Sequence, residues 1–284
     1  MSFRLTLVMA LLVVATLGSP RVTLGWGDLG HRVVCEIAYQ EVSKRARAEV
    51  RRLIAKDPGF RTFADSCTWA DHPHQRDPDH FINVPRDFTA FTSQDCPLAP
   101  RCLFTAIRRD FQTLKTATDD ATKLESLKFL GHWIGDLHQP LHVSFADDRG
   151  GVRIQGAGSC EGSLHSAWDG CLVSRALGTN SRRIAEELHR EVSEADRQAW
   201  VPIPVEAWAT ESLTIARRAG VGYCVQTATG CAYDAGRAIY QTNSREKTVT
   251  MGRTYLEAHR AVIRDRLRRA GVRLGALLNL ALGQ

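Results

Sequence analysis

Residues 122–138 constrain this chain most. Leu124, Leu127, Phe129, Leu130, Trp133 and Ile134 make the segment the most apolar stretch of helical periodicity after the N-terminal region. Such a helix belongs in a core with other elements around it. Yet it carries His132 and Asp136, four residues apart, so an imidazole and a carboxylate share one face one turn apart. His165 and Asp169 repeat the arrangement within Leu164-His165-Ser166-Ala167-Trp168-Asp169. One such pair is an ordinary ion pair or a core histidine with its partner. Two on apolar helices point to zinc, since each pair supplies half of a zinc donor set.

Helical periodicity dominates the remainder. Val33, Val34, Ile37 and Ala38 predict a helix starting near Gly30, and a second fits 46–55, ending before Pro58. Leu103, Ile107, Phe111 and Leu114 mark a third over 103–117. Further helices fit 163–176, 181–194, 204–219 and 247–281, the last expected to break near Gly271 or Gly275. The one strand signal lies around 147–154, where Gly150 and Gly151 suit a hairpin turn. There is no internal repeat, low-complexity tract or linker. The reading is all-α: a single multi-helix domain with one small β-hairpin.

Arg4, the apolar run Leu5–Leu17, Gly18, Pro20 and the small residues before Trp26 have the layout of an export signal, so residues 1–25 are read as a signal peptide and 26–284 as the domain. The apolar run is too short to span a bilayer, and no later segment reaches the roughly 20 apolar residues needed. No membrane association is therefore expected once the signal is cleaved. The formal charge is +6, or +4 without Arg4 and Arg21, a mildly basic balance compatible with a polyanionic substrate. Eight cysteines all follow residue 25. An even count in an exported chain favours disulfides over thiolate metal sites. Cys96/Cys102, Cys160/Cys171 and Cys224/Cys231 can each close a short loop, which leaves Cys35 for Cys67. Metal ligands are then expected among His and Asp.

Other candidates fall into place around the two helical pairs. Pro140 ends the first helix, so His142 can turn back toward His132 and Asp136. Asp71, in Trp69-Ala70-Asp71, and His80, in Asp79-His80-Phe81-Ile82-Asn83, are two more potential ligands. If cleavage frees Trp26, its α-amine and carbonyl oxygen form a chelate, with His31 nearby on the first helix. A free α-amine has a pKa near 8, so zinc can capture its neutral form at neutral pH.

This set resembles the S1/P1 nuclease family in the order and spacing of nine potential ligand positions, and the likeness runs from Trp26 to the Ala270-Gly271-Val272-Arg273-Leu274 segment. The resemblance implies the fold shared by zinc phospholipases C and these nucleases, built around three Zn²⁺ ions. It implies one zinc on Asp71, His80, His132 and Asp136, a second on His142, His165 and Asp169, and a third on Trp26, His31 and the bridging Asp136. It implies a secreted or periplasmic endonuclease for single-stranded DNA and RNA, acting also on 3′-nucleotides and leaving 5′-phosphates. Asp71 would orient the attacking water and accept its proton. Phe81 would stack an unpaired base. His138 would pack or tune rather than ligate. A monomer is expected.

Some positions depart from the family pattern. Where fungal members place a phosphate-binding arginine, this chain has His74, which lacks the bidentate fork and is expected to contact substrate phosphate more weakly or with more pH dependence. Arg76 is a nearby substitute. Asn83 replaces an aspartate that hydrogen-bonds the base, and Arg149-Gly150-Gly151-Val152 brings a cation and loses an asparagine in the hairpin. These changes bear on specificity. Two other activities fit the same ligands: a zinc phospholipase C acting on phosphatidylcholine, and a non-catalytic zinc-binding secreted protein.

Overall fold

The computed structural model describes residues 26–222, 225–227, 230–232 and 248–283. The expected signal segment and Cys224 lie outside the described residues. In chain order the elements are α1 (Asp28–Glu41), α2 (Lys44–Ile54), α3 (Phe63–Ser66), β1 (Ile82–Val84), α4 (Leu103–Thr116), α5 (Asp120–His138) and β2 (Val143–Phe145). Then follow β3 (Gln155–Gly158), β4 (Gly162–Ser163), α6 (Leu164–Ser166), α7 (Leu172–Leu177), α8 (Ser181–Arg190), α9 (Glu194–Trp200) and α10 (Val205–Ala216). β5 (Val225–Thr227), β6 (Gly230–Ala232), β7 (Thr248–Met251) and α11 (Arg253–Leu282) complete the chain. A π-helical turn, Ala167–Cys171, joins α6 to α7.

The apolar helix sits where its composition requires. Every residue of α5 from Ser126 to His138 is buried, enclosed by α1, α4, α10 and α11. Asp119 caps its start by accepting from the Thr122 N–H at 2.8 Å. Gln139 and the 3-10 turn Pro140–His142 end it. β1 and β2 pair in parallel, with Ile82 opposite Val143 and Asn83 opposite Ser144. That pairing sets His80 and His142, which precede the two strands, side by side.

Several sequence expectations need correction. First, α11 runs unbroken through Gly271 and Gly275. These glycines allow close approach instead: a Cβ on Gly271 would lie 2.4 Å from Ile37 Cγ2, and one on Gly275 would lie 2.5 Å from Glu41 Cβ, both on α1. Second, residues 147–154 form a tight loop, not the hairpin. Arg149, Gly150 and Gly151 all have positive φ (56°, 64° and 85°), which a hairpin turn could share, but no paired strands flank them within 147–154. The antiparallel pair lies just beyond, between β3 and β4, and β7 adds in parallel to β3. The small sheets are thus more numerous than the single expected hairpin, because short strands such as β1 and β2 carry too few residues to show a period. The stretch from 247 opens with β7 before the helix, and α9 emerges as a separate helix after 181–190.

Disulfides join Cys35 to Cys67, Cys96 to Cys102 and Cys160 to Cys171, as spacing suggested. The first ties α1 to the segment after α3 across 32 residues, a loop whose closure stabilises by about 3–4 kcal/mol in the chain-entropy account. No helix among the described residues is long and apolar enough to cross a membrane.

If Gly271 serves close packing, Gly271→Ala should destabilise the fold by about 1–2 kcal/mol, because overpacking outweighs the helix-propensity gain of ~1 kcal/mol. Thermal unfolding should show a fall of several degrees; an unchanged or higher midpoint would refute the close-approach account.

Candidate metal centre

Asp136 lies fully buried near the end of α5, and four imidazoles surround it. Its Oδ2 is 3.1 Å from His80 Nδ1 and 3.3 Å from His132 Nε2. Its Oδ1 is 3.4 Å from His31 Nε2 and 3.7 Å from His142 Nδ1. The two oxygens therefore face different sets of rings, as a carboxylate shared between two cations would. Gly135 makes this possible, since a Cβ there would fall 2.6 Å from His31 Nδ1. His31 stacks on His132 with ring centroids 3.8 Å apart.

Asp71 approaches from the other side. Its Oδ1 is 3.6 Å from His132 Nε2 and 3.8 Å from His80 Nδ1, and His132 Nε2 is 3.2 Å from His80 Nδ1. Donors bound at zinc distances around a tetrahedral ion lie about 3.3–3.6 Å apart. The spacings among Asp71, His80, His132 and Asp136 bracket that value. A second group lies beyond His142: its Nε2 is 3.7 Å from Asp169 Oδ1, and His165 Nε2 is 3.6 Å from Asp169 Oδ2. Asp169 sits on the π-helical turn, a distortion frequent at functional sites.

The unsatisfied atoms test the fit. Thirteen buried side-chain nitrogens and oxygens lack a hydrogen-bond partner among the described residues, and seven belong here: both nitrogens of His31, Asp71 Oδ1, Asp136 Oδ1, His142 Nε2, His165 Nε2 and Asp169 Oδ2. Each costs about 1–3 kcal/mol if left bare, so the cluster is poorly matched to itself and well matched to cations. The clusters His80–His132–Asp136 and His142–His165–Asp169 each gather donor atoms within 4.8 Å. The residues present fit divalent zinc: imidazoles and carboxylates, with no free thiol among the described residues.

Main-chain carbonyls orient the rings. His132 Nδ1 donates to Cys67 O (2.8 Å), His142 Nδ1 to His80 O (2.6 Å), His165 Nδ1 to Gly150 O (2.7 Å) and His80 Nε2 to Gln75 O (2.8 Å). Each ring then turns its other nitrogen toward the carboxylates, the atom a metal ion would take as a lone pair. Gly150 must be glycine, because a Cβ would lie 2.5 Å from Leu141 O. Gln139 donates from Nε2 to Asp169 Oδ1 at 2.5 Å and accepts from the Leu141 N–H at 2.6 Å. Sequence reasoning missed the carbonyls, which leave no residue signature, and Gln139, whose place between the helix end and Pro140 was the available clue.

Burial holds His31, His80 and His165 below the ordinary imidazole range, so they stand neutral and ready to ligate. Burial opposes the His132 cation too, but Asp136 and Asp71 outweigh it and lift His132 to about 9. Burial would raise Asp136, yet His132 and His142 keep it well below the usual carboxylate range. For Asp169 burial outweighs the opposing effects of His165 and the Gln139 hydrogen bond and pushes it well above that range.

The remaining candidates lie around this centre. Trp26 is buried, its side chain against Gly30, and the Gly27 N–H donates to Asp169 O at 2.8 Å, so the start of α1 abuts the second group. Phe81 and Asn83 are half-buried beside His80. Arg149 is exposed, next to Gly150. His74 lies near Asp71, with both ring nitrogens toward carboxylates. Arg76 does not replace the missing phosphate-binding arginine: it is bound to Asp110 and Glu125 and stacked over Phe129, 3.6 Å from the ring centre. His138 packs, its Nδ1 donating to Ile134 O and its Nε2 accepting from Arg273. A cavity of about 680 Å³ lined by Tyr39, Arg51, Arg61 and Phe63 contains none of these candidates.

Because the folded His132 pKa is raised, its stabilising contribution is complete below about 6.5, the unfolded value, and is lost as pH rises through about 9. Metal-stripped protein should therefore lose on the order of 3 kcal/mol from this group over that interval. Denaturant titrations at pH 6 and pH 10 should show the slope in the parent and a flatter one in His132→Asn; equal slopes would contradict the assignment.

Comparison with known proteins agrees with this chemistry. Residues 26–283 match the S1/P1 Nuclease family. Endonuclease 2 of Arabidopsis thaliana is 28% identical over 279 residues, covering 91% of this chain and 91% of the plant protein. Nuclease S1 of Aspergillus oryzae is 27% identical over 285 residues, covering 95% and 96%. Endonuclease 4 of Arabidopsis thaliana is 29% identical over 280 residues, covering 90% and 89%. The match spans nearly all of the described domain, and the chain belongs to the S1/P1 nuclease family, enzymes that hydrolyse phosphodiester bonds.

Proposed function

We propose that this protein is an exported, zinc-dependent endonuclease that cleaves single-stranded DNA and RNA to 5′-phosphate products and also removes phosphate from 3′-nucleotides. The observation that carries the reading is the shared carboxylate of Asp136, set among four imidazoles with unsatisfied donor atoms on both sides. Membership of the nuclease family favours this substrate over phosphatidylcholine, and a mere structural zinc site would use four ligands around one ion. Residues 1–25 are removed as a signal, 26–284 form the enzyme, and the protein acts as a monomer. Three disulfides among the described residues suit an oxidising compartment, whether secreted or periplasmic.

Asp71, His80, His132 and Asp136 hold one ion, and His142, His165 and Asp169 a second. His31 and Asp136 join the amine and carbonyl of a processed Trp26 around a third. Zinc bound in these sets supplies Lewis-acid activation of a phosphodiester and of a water molecule near neutral pH. Asp71 does the proton work. Burial would raise its pKa, but His132 and its neighbours keep it below the usual range, so it is a carboxylate at neutral pH. Its Oδ1 faces the imidazoles, and its other oxygen accepts a hydrogen bond from the attacking water and then its proton. Gln139 holds Asp169 in place, and the carbonyl partners of the imidazoles hold their lone pairs on the reaction side.

Phe81 follows His80 directly and offers a ring for one base, worth about 1–3 kcal/mol per stacked base. A base stacked inside a duplex cannot reach such a ring without being pulled out, hence the single-strand preference. Asn83, presenting an amide, reads base edges, and Arg149 supplies an exposed cation for phosphate or base.

The test uses protein beginning at Trp26, given single-stranded DNA, RNA and phosphatidylcholine with and without chelator. Chelator-sensitive release of 5′-nucleotides is expected, with Asp71→Asn lowering kcat about 100-fold or more. Lipid cleavage alone would instead identify a phospholipase, and zinc binding without turnover a structural protein.

A further inference from the structure

His74 is the one imidazole near the centre with substantial exposure, its side chain 30% accessible, and its geometry differs from that of a phosphate donor. Its Nδ1 lies 3.5 Å from Asp71 Oδ1. The same oxygen is 3.6 Å from His132 Nε2 and 3.8 Å from His80 Nδ1. Three imidazole nitrogens thus stand around one buried carboxylate oxygen, and that oxygen has no hydrogen-bond partner. Hydrogen bonds would draw nitrogen and oxygen to about 2.7–3.2 Å. Spacings of 3.5–3.8 Å instead resemble the edges of a coordination shell. The other ring nitrogen, Nε2, is 3.1 Å from Asp77 Oδ1, which is the carboxylate–histidine–metal arrangement that fixes a ligand's tautomer. The His74 ring lies over that of His80, centroids 4.2 Å apart, and Asp71, His74 and His80 bring donor atoms within 4.8 Å of one another.

We propose that His74 is an additional zinc donor through Nδ1, joining the ion held by Asp71 and His80, and that Asp77 is its positioning residue. This rests on the zinc reading above. With Nδ1 committed to the ion and Nε2 to Asp77, neither nitrogen serves the phosphate. The position then contributes retention of the metal where an arginine would contribute charge to substrate.

The experiment measures zinc content and the rate of zinc loss to excess chelator for the parent, His74→Ala, His74→Arg and Asp77→Asn. Cobalt(II)-substituted forms are compared by visible absorption, and far-UV circular dichroism checks the fold of each. Both His74 variants should lose one class of ion about tenfold faster or more, with Asp77→Asn in the same direction. The cobalt spectrum should change with the loss of one donor. Unchanged zinc loss and an unchanged cobalt spectrum in His74→Ala would overturn the assignment while leaving the zinc enzyme intact. Parent-like retention in His74→Arg with a weaker Ala variant would also overturn it, since any cation would then suffice. A parent that holds no zinc would refute the metal reading itself, and His74 as a donor with it.

Discussion

A carboxylate with no exposure to water, placed between imidazoles at 3.1–3.7 Å, is the constraint on which the rest of this structure depends. Burying Asp136 is costly unless positive charge lies on both of its oxygens. The imidazoles supply only part of it: His132 is held as a cation, while burial keeps His31, His80 and His165 neutral. The fold is thus organised around more positive charge than His132 alone provides. The surrounding helices create a low-dielectric setting, and α5 is apolar on nearly every side because it carries His132 and Asp136 into that setting.

Precision comes from the backbone rather than from further polar side chains. Four ring orientations are set by main-chain carbonyls from four separate segments. The parallel pairing of β1 with β2 sets His142 against the carbonyl of His80. At the far end of α5, Arg266 donates to His138 O and to Glu211, and Arg273 donates to His138 Nε2 and to Glu211. These cations sit at a helix C-terminus, where the dipole favours them, and they anchor the point from which the chain turns back through Pro140. The position of His142 therefore depends on a network contributed by α10 and α11, whose arginines lie more than a hundred residues later in the chain.

Much of this was legible in the sequence. The helical pairs His132/Asp136 and His165/Asp169 needed only a period of 3.6 residues, and Pro140 signalled the return of His142. The cysteine spacings identified all three disulfides found among the described residues. What escaped was nonlocal. Gly271 and Gly275 look like helix breakers along the chain, and only the proximity of α1 shows them to be contact points. The loop at 147–154 carries hairpin glycines, but three successive positive φ angles serve to deliver the Gly150 carbonyl to His165. Arg76 reads as a free cation until Asp110, Glu125 and Phe129 surround it. In each case the deciding partner is far away in sequence.

The Cys35–Cys67 disulfide has a consequence for the order of assembly. Cys67 supplies both the sulfur that ties its segment to α1 and the carbonyl that orients His132. While the two cysteines are still thiols, that carbonyl lacks its anchor, and the thiols themselves compete for soft divalent ions. Oxidation removes the competitor and preorganises a ligand in one step. By linkage, the factor by which oxidation favours metal binding is the factor by which bound metal favours the disulfide. Redox maturation and metal acquisition thereby meet in one residue, Cys67.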